Sequence, residues 1–140
     1  MTEKKILVAI DGSEHSEKIL ETAIEYAKLL QAKVILLHCH KRFPTILGEP
    51  LRQDAISDIL LHAEKLIAPF SQRLREADID FEERLMEMPA REVIPDVAKI
   101  QHCSLIIMGS RGLTNLEGLF VGSVTTRVLH TTPCSVLVVK

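Results

Sequence analysis

The residues with the clearest chemical potential are glycines and hydroxyl residues in the last third of the chain. Gly109-Ser110-Arg111-Gly112 follows an apolar run, and Gly122-Ser123 comes after nine further residues. Glycine lets the main chain adopt positive φ and approach a ligand closely. A helix start offers unpaired N–H groups and a favourable dipole, so we predict an anion site here. Ser123 and Thr125 would add hydroxyl donors. The free N–H groups would come from Gly122, Ser123, Val124 and Thr125. The alternative is a strand-to-helix turn that merely contains glycines.

Asp11 is the second candidate, because Asp11-Gly12-Ser13 follows another apolar run. An aspartate at such a point is often only a turn former or helix cap. In an open α/β sheet, however, ligands bind beyond the carboxyl ends of strands, where the strand order reverses. The glycines are predicted at the same end, which favours a ligand contact for Asp11. Arg111 either pairs with a phosphate or is a solvated loop charge.

Histidines and cysteines are the residue types in this chain that most often bind transition metals. His38 and His40 are two apart and face the same side of a predicted strand, a spacing that can hold a metal. No carboxylate or further histidine stands close in sequence, so ordinary core or loop histidines are favoured and no metal site is predicted. Cys39, Cys103 and Cys134 lack CxxC spacing, which favours buried reduced thiols over a disulfide or zinc knuckle.

The surrounding pattern alternates strands and helices. Continuous apolar runs predict five strands, the third more polar than the rest: Ile6–Ile10, Val34–Cys39, Ile79–Met86, Leu105–Met108 and Val136–Val139. Helical periodicity predicts helices from about Ser16 to Leu30, from Ile56 to Ala77, from Arg91 to Ile100 and around Val124–Leu129. Ser13 or Ser16 would cap the first helix, and Pro69 would kink or divide the second. This order is typical of a parallel sheet with helices on both faces.

Composition narrows the possible functions. The 140 residues are 46% hydrophobic and 26% charged with a net charge of −2, which favours one folded domain over residues 1–140. A weakly acidic chain has no general attraction for nucleic acid. No segment reads as a signal peptide or a membrane span, so we expect a cytoplasmic protein without a membrane partner.

The glycine spacing also resembles a known family. Gly109-x-x-Gly112, nine residues, then Gly122-Ser123 is similar to the ATP-binding signature of universal stress proteins, as are the segments Ile6–Ser13 and Pro133–Val139. The resemblance covers nearly the whole chain. It implies a Rossmann-like, adenine nucleotide α-hydrolase-like fold with strand order 3-2-1-4-5, whose switch point lies between the first and fourth strands.

The resemblance further implies a nucleotide site. The aspartate matching Asp11 contacts the ribose region, the residue matching Cys39 lies beside the adenine, and the glycine loop lines the phosphates. The expected nucleotide-binding residues are Ala9, Ile10, Asp11, Cys39, Met108, Gly109, Arg111, Gly112, Gly122, Ser123, Val124 and Thr125. Two positions depart from the family pattern: Glu87 replaces a frequent glycine, and Ser104 replaces a favoured aspartate.

These observations predict a regulator that binds ATP, or ADP or AMP, with Mg²⁺ or Mn²⁺. No catalytic residue is identified, because the loop lacks the P-loop lysine and no base is placed to activate water, so hydrolysis would be slow at most. The alternatives are a nucleotide-independent dimeric interaction module and an adenine-nucleotide hydrolase. The apolar strand Val136–Val139 predicts a homodimer through its edge, as the resemblance also implies. The loop Lys41–Leu51 is expected to act as a mobile lid. The sequence identifies no client protein.

Overall fold

The computed structural model describes residues 3–110 and 122–140. Its five strands are β1 Lys5–Ala9, β2 Lys33–His40, β3 Phe81–Glu87, β4 Leu105–Gly109 and β5 Ser135–Val139. Its four helices are α1 Ser16–Leu30, α2 Leu51–Glu76, α3 Ala90–Ile100 and α4 Ser123–Thr131. Each element lies within a few residues of its predicted position.

The strands form one parallel sheet in the order β3-β2-β1-β4-β5, as predicted. β1 lies at the centre, with Val8 opposite Leu36 of β2 on one side and opposite Ile107 of β4 on the other. The chain runs outward from β1 in both directions, so the strand order reverses beside β1. All five carboxyl ends meet at one edge of the sheet, and the segments that follow them can share a site.

Alternation along the strands divides the core between two faces, because successive side chains point to opposite sides of a sheet. One cluster packs β1 and β2 against α1 and α2 and includes Val8, Leu36, Leu20 and Ile67. The other packs the sheet against α3 and α4 and includes Leu7, Ile35, Ile94 and Val128. Each large side chain buried in this way stabilises the fold by roughly 1.5–3 kcal/mol.

Pro69 does not divide the second helix. α2 is one helix of 26 residues that contains the proline. A proline inside a helix removes one backbone hydrogen bond, but Ile67 and Ser71 on either side of Pro69 are buried, as is Leu74 one turn further on, and their packing holds both halves in line. Neither α2 nor any other helix within residues 3–110 and 122–140 is long and apolar enough to cross a membrane.

The predicted caps of α1 are also wrong. His15 occupies the cap position, and no side chain caps the helix. The Ser16 hydroxyl instead accepts a hydrogen bond from the N–H of Gly12 at 3.1 Å. Ser16 is fully buried, so its hydroxyl holds the β1–α1 turn rather than the end of the helix.

The first three helices end in the same way. Each is followed by a residue with left-handed φ that is not glycine: Gln31 at 52°, Asp78 at 58° and His102 at 56°. In each case the next N–H reaches back five residues, as from Ala32 to the carbonyl of Ala27 at 2.9 Å. This is the Schellman arrangement, which turns the chain sharply into the next strand.

Candidate functional site

The carboxyl ends of β1, β2 and β4 and the first turn of α4 line a pocket of about 250 Å³. It lies on the α3–α4 face at the predicted switch point. Of the twelve residues predicted to bind nucleotide, ten line this pocket: Ala9, Ile10, Asp11, Cys39, Met108, Gly109, Gly122, Ser123, Val124 and Thr125. The other two, Arg111 and Gly112, lie outside the residues that the structure describes.

Two hydrogen bonds fix the start of α4 to the end of β4. The N–H of Gly122 donates to the carbonyl of Ser110 at 2.6 Å, and the Thr125 hydroxyl donates to the carbonyl of Gly109 at 2.7 Å. The prediction that both groups are free donors for an anion is therefore wrong. The reason is that Thr125 is almost fully buried, where a hydroxyl needs a partner inside the protein.

Three further backbone donors at this helix start have no protein acceptor among the residues that the structure describes. Within the described chain the first α4 N–H with a backbone acceptor is that of Thr126, bonded to the carbonyl of Gly122 at 3.0 Å. The N–H groups of Ser123, Val124 and Thr125 have no such acceptor, and the Ser123 side chain is exposed. Three backbone donors and one hydroxyl at a helix N-terminus can hold an anion.

The backbone angles of Gly122 do not require glycine. Its φ is −69° and its ψ is 163°, an extended conformation open to any residue. Since Gly122 lines the pocket directly, its missing side chain leaves room for a ligand against the main chain. Among the described glycines, positive φ is found at Gly12, at 80°.

Asp11 forms a turn and also lines the pocket. Its Oδ1 accepts hydrogen bonds from the Ser13 N–H at 2.8 Å and from the Ser16 hydroxyl at 3.3 Å. This local bonding orients the carboxylate at the carboxyl end of β1. Oδ2 has no hydrogen-bond partner among the described residues, so it can accept hydrogen bonds from ligand hydroxyls. The two roles considered for Asp11 are therefore compatible.

The rest of the pocket is an apolar slot. Leu37 and Cys39 come from β2, Met108 from β4, Met88 from the β3–α3 connection and Ile94 from α3. Burial raises the pKa of the Cys39 thiol to about 11, so near neutral pH it is an uncharged wall group. Such a slot suits a flat, weakly polar ring.

Sequence reasoning missed several lining residues. Leu37 could have been inferred, because it stands two positions before Cys39 and shares its face of β2. Ile19 of α1, and Met88, Ala90 and Ile94 from the α3 region, carry no motif. They reach the pocket only because the fold packs α1 and α3 beside the sheet edge.

Two cysteines and two histidines of the described chain lie in the interior. Cys39 and Cys103 are buried and Cys134 is half-buried, and none of the three forms a disulfide. His38 and His40 are buried, on the face of β2 opposite Leu37 and Cys39. In residues 3–110 and 122–140 no three potential metal ligands stand close enough to hold an ion together.

Comparison with known proteins agrees with this architecture. The sequence profile of the universal stress protein family matches residues 3–140, and the chain belongs to that family. A universal stress protein from Thermus aquaticus is 34% identical over 139 residues, which span 98% of each chain.

Solved structures share the fold. The protein named MJ0577 superimposes with a TM-score of 0.88 at 28% identity, covering 100% of this chain and 97% of its own. A universal stress protein family protein from Arabidopsis thaliana, solved with AMP bound, gives a TM-score of 0.72 at 19% identity, covering 98% of this chain and 91% of its own. At 19% identity the second likeness concerns the fold alone.

Proposed function

We propose that this universal stress protein binds ATP, or ADP or AMP, and acts as a nucleotide-dependent regulator. The observation that carries the proposal is the pocket at the strand switch point. It joins an apolar slot, a carboxylate whose Oδ2 has no partner among the described residues, and the N-terminus of α4 within one cavity. These three features match the base, the sugar and the phosphates of a nucleotide in that order.

Each chemical group of the nucleotide would meet a different part of the pocket. Adenine would lie in the slot beside Cys39 and Met108, and the ribose hydroxyls would donate to Asp11. The phosphates would accept hydrogen bonds from the N–H groups of Ser123 and Val124 and continue toward the segment after Ser110. A volume of about 250 Å³ suits the nucleoside, with the charged phosphates in the open mouth. The bound AMP of the Arabidopsis thaliana protein supports an adenine nucleotide as the ligand class.

Mg²⁺ or Mn²⁺ would enter with the phosphates. Magnesium keeps several waters and binds mainly to phosphate oxygens, so it needs few protein ligands. The described residues hold no cluster of three potential ligands, which is consistent with an ion carried by ATP. Hydrolysis would then be slow, since the pocket offers Asp11 as its only lining carboxylate in the described chain, and hydrogen bonds already hold one oxygen of that group.

Titration calorimetry tests the proposal with ATP, ADP, AMP and GTP, each with Mg²⁺. We expect saturable binding of the adenine nucleotides. Gly122→Val would place a branched side chain in the pocket and abolish binding. Gly48→Val controls for the effect of valine on the fold, because a Cβ on Gly48 meets nothing within 4 Å, so it should unfold like wild type. Absence of heat with all nucleotides in the wild type would refute the proposal.

The outer edge of β5 supports a homodimer. A homodimer is also expected if the protein is instead a nucleotide-independent interaction module. β5 is the last strand of the sheet and consists of apolar residues after Ser135, half-buried in this chain. The Val139 carbonyl accepts from the N–H of Ser110 at 2.9 Å and so points inward. The backbone N–H and C=O groups of neighbouring residues point to opposite edges of a strand. The Val138 N–H therefore points away from β4, where it would pair with a second copy.

Light scattering of wild type and Val138→Pro tests this dimer. Proline at an outward-facing position removes a donor from the edge and leaves the β4–β5 ladder intact. We expect a dimeric wild type and a folded, monomeric variant. A monomeric wild type would contradict the proposal, and a dimeric Val138→Pro would place the interface elsewhere. A wild type that dimerises but binds no nucleotide would favour the interaction module.

A further inference from the structure

A second cavity, of about 460 Å³, lies on the α1–α2 face of the sheet between the carboxyl end of β2 and α2. It meets the first pocket at the rim of the sheet, where Asp11, Cys39 and Met88 line both. The nucleotide groups assigned above do not occupy it. We call it the histidine cavity, because His38, His40 and His62 are among its lining residues.

Two of these histidines have a defined hydrogen-bonding state. The Nδ1 atom of His38 lies 2.9 Å from the carbonyl of Ile10, and that of His40 lies 2.8 Å from the carbonyl of Lys41. A carbonyl oxygen only accepts, so Nδ1 carries the hydrogen in both rings. In a neutral imidazole the Nε2 atom then holds a lone pair. Both side chains are more than nine-tenths buried, and neither Nε2 has a hydrogen-bond partner in the described chain.

The charges around the cavity favour a cation. Burial lowers the pKa of His38, which keeps this ring neutral near pH 7. Besides its histidines, the cavity is lined by two carboxylates and one lysine, a formal balance of −1. The titratable and charged groups come from the end of β1, from β2, from the loop after it and from α2: Asp11, His38, His40, Lys41, Asp58 and His62.

We propose that the histidine cavity binds a small organic ammonium ion, a primary amine with an apolar body. The ammonium group would donate to the Nε2 atoms of His38 and His40 and face the carboxylate of Asp58. The apolar body would contact Ile59, Leu66 and Met88, which also line the cavity. The volume is many times the roughly 30 Å³ of one water, so it suits a molecule better than a bare ion. This inference goes beyond nucleotide binding and does not depend on it.

Acid should reverse the preference of the cavity. Acid favours the protonated form of an imidazole ring, whose ordinary pKa is about 6.5. Each protonation turns an Nε2 acceptor into a donor and adds a positive charge. The cavity would then repel the amine and attract a carboxylate of the same shape. Burial lowers the pKa of His38, so this ring resists protonation.

Benzylamine and benzoate test the proposal by two-dimensional amide NMR of the ¹⁵N-labelled protein, at about pH 7.5 and about pH 5.5. Both probes keep their charge at both pH values. At the higher pH we expect benzylamine to bind with a Kd on the order of millimolar, as suits a small fragment, and to shift residues 38–41 and 58–62. Benzoate should bind there only at the lower pH. Equal binding of both probes at pH 7.5, or shifts confined elsewhere, would overturn the proposal.

Matched variants locate the amine. Asp58→Asn removes an exposed charge at the cavity and should weaken benzylamine binding about two- to fivefold. Asp54→Asn makes the same change one turn earlier on α2, outside the cavity lining, and should bind as wild type does. His40→Phe keeps a ring to stack on Phe43 but removes the acceptor, and should weaken binding about tenfold. Wild-type affinity in both Asp58→Asn and His40→Phe would refute the assignment.

Discussion

Thr125→Val offers a test of how the start of α4 is held. Valine has nearly the same shape as threonine but no hydroxyl, so the change deletes one hydrogen bond and little packing. In the native protein that hydroxyl donates to the carbonyl of Gly109 at 2.7 Å, and Thr125 is only 2% exposed. The substitution leaves the Gly109 carbonyl without this donor in a site that water scarcely reaches.

The expected cost follows from that burial. Removing one partner of a buried hydrogen bond costs about 1–3 kcal/mol of unfolding free energy. Thr126→Val is the control, because the Thr126 hydroxyl makes the same type of bond, to the Gly122 carbonyl at 3.0 Å, on an exposed side chain. Water can replace that bond, so the control should cost less than about 0.5 kcal/mol.

Chemical denaturation followed by far-ultraviolet circular dichroism measures both variants, which suits a chain with one tyrosine and no tryptophan. In a thermal melt followed in the same way, we expect Tm to fall by roughly 3–9 °C in Thr125→Val. ATP affinity should fall as well, because the bond orients the N–H groups of Ser123 and Val124. If Thr125→Val unfolds no more easily than Thr126→Val, the anchoring role is wrong.

Three further outcomes are expected. Burial lowers the pKa of His38, so the unfolded chain takes up a proton at this residue more readily than the folded protein as pH falls below about 6.5, and the free energy of unfolding decreases. Denaturation of His38→Asn across the same pH range should lack this part of the acid dependence. Gly12→Ala should cost about 1–3 kcal/mol, because φ is 80° and the new Cβ would lie 2.7 Å from Leu66 Cδ1, whereas Gly48→Ala should unfold like wild type. Hydrogen exchange across residues 41–51 should slow when ATP is added, and unchanged protection there would count against a lid.

Local pattern predicted the sheet well, because buried parallel strands are continuous apolar runs and their order in the chain alternates with helices. The resemblance to universal stress proteins supplied the candidate site residues, ten of which line one pocket. Local pattern failed where a residue's partner is distant in sequence. The acceptor of the Thr125 hydroxyl is sixteen residues away, and Met88 and Ile94 reach the pocket through α3 packing. Nucleotide binding by Arg111 and Gly112, and a single domain over residues 1–140, remain predictions.

The three Schellman ends of α1, α2 and α3 lie at the amino edge of the sheet, opposite the pocket. Gln31, Asp78 and His102 hold left-handed backbone there without being glycine, at a cost of about 1 kcal/mol each. Glycine at these three turns would relieve that backbone strain and raise the free energy of unfolding. Part of the gain would be lost, because glycine also makes the unfolded chain more flexible. None of the described residues that line the two cavities belongs to that edge, so thermal tolerance and ligand choice can change independently in this protein.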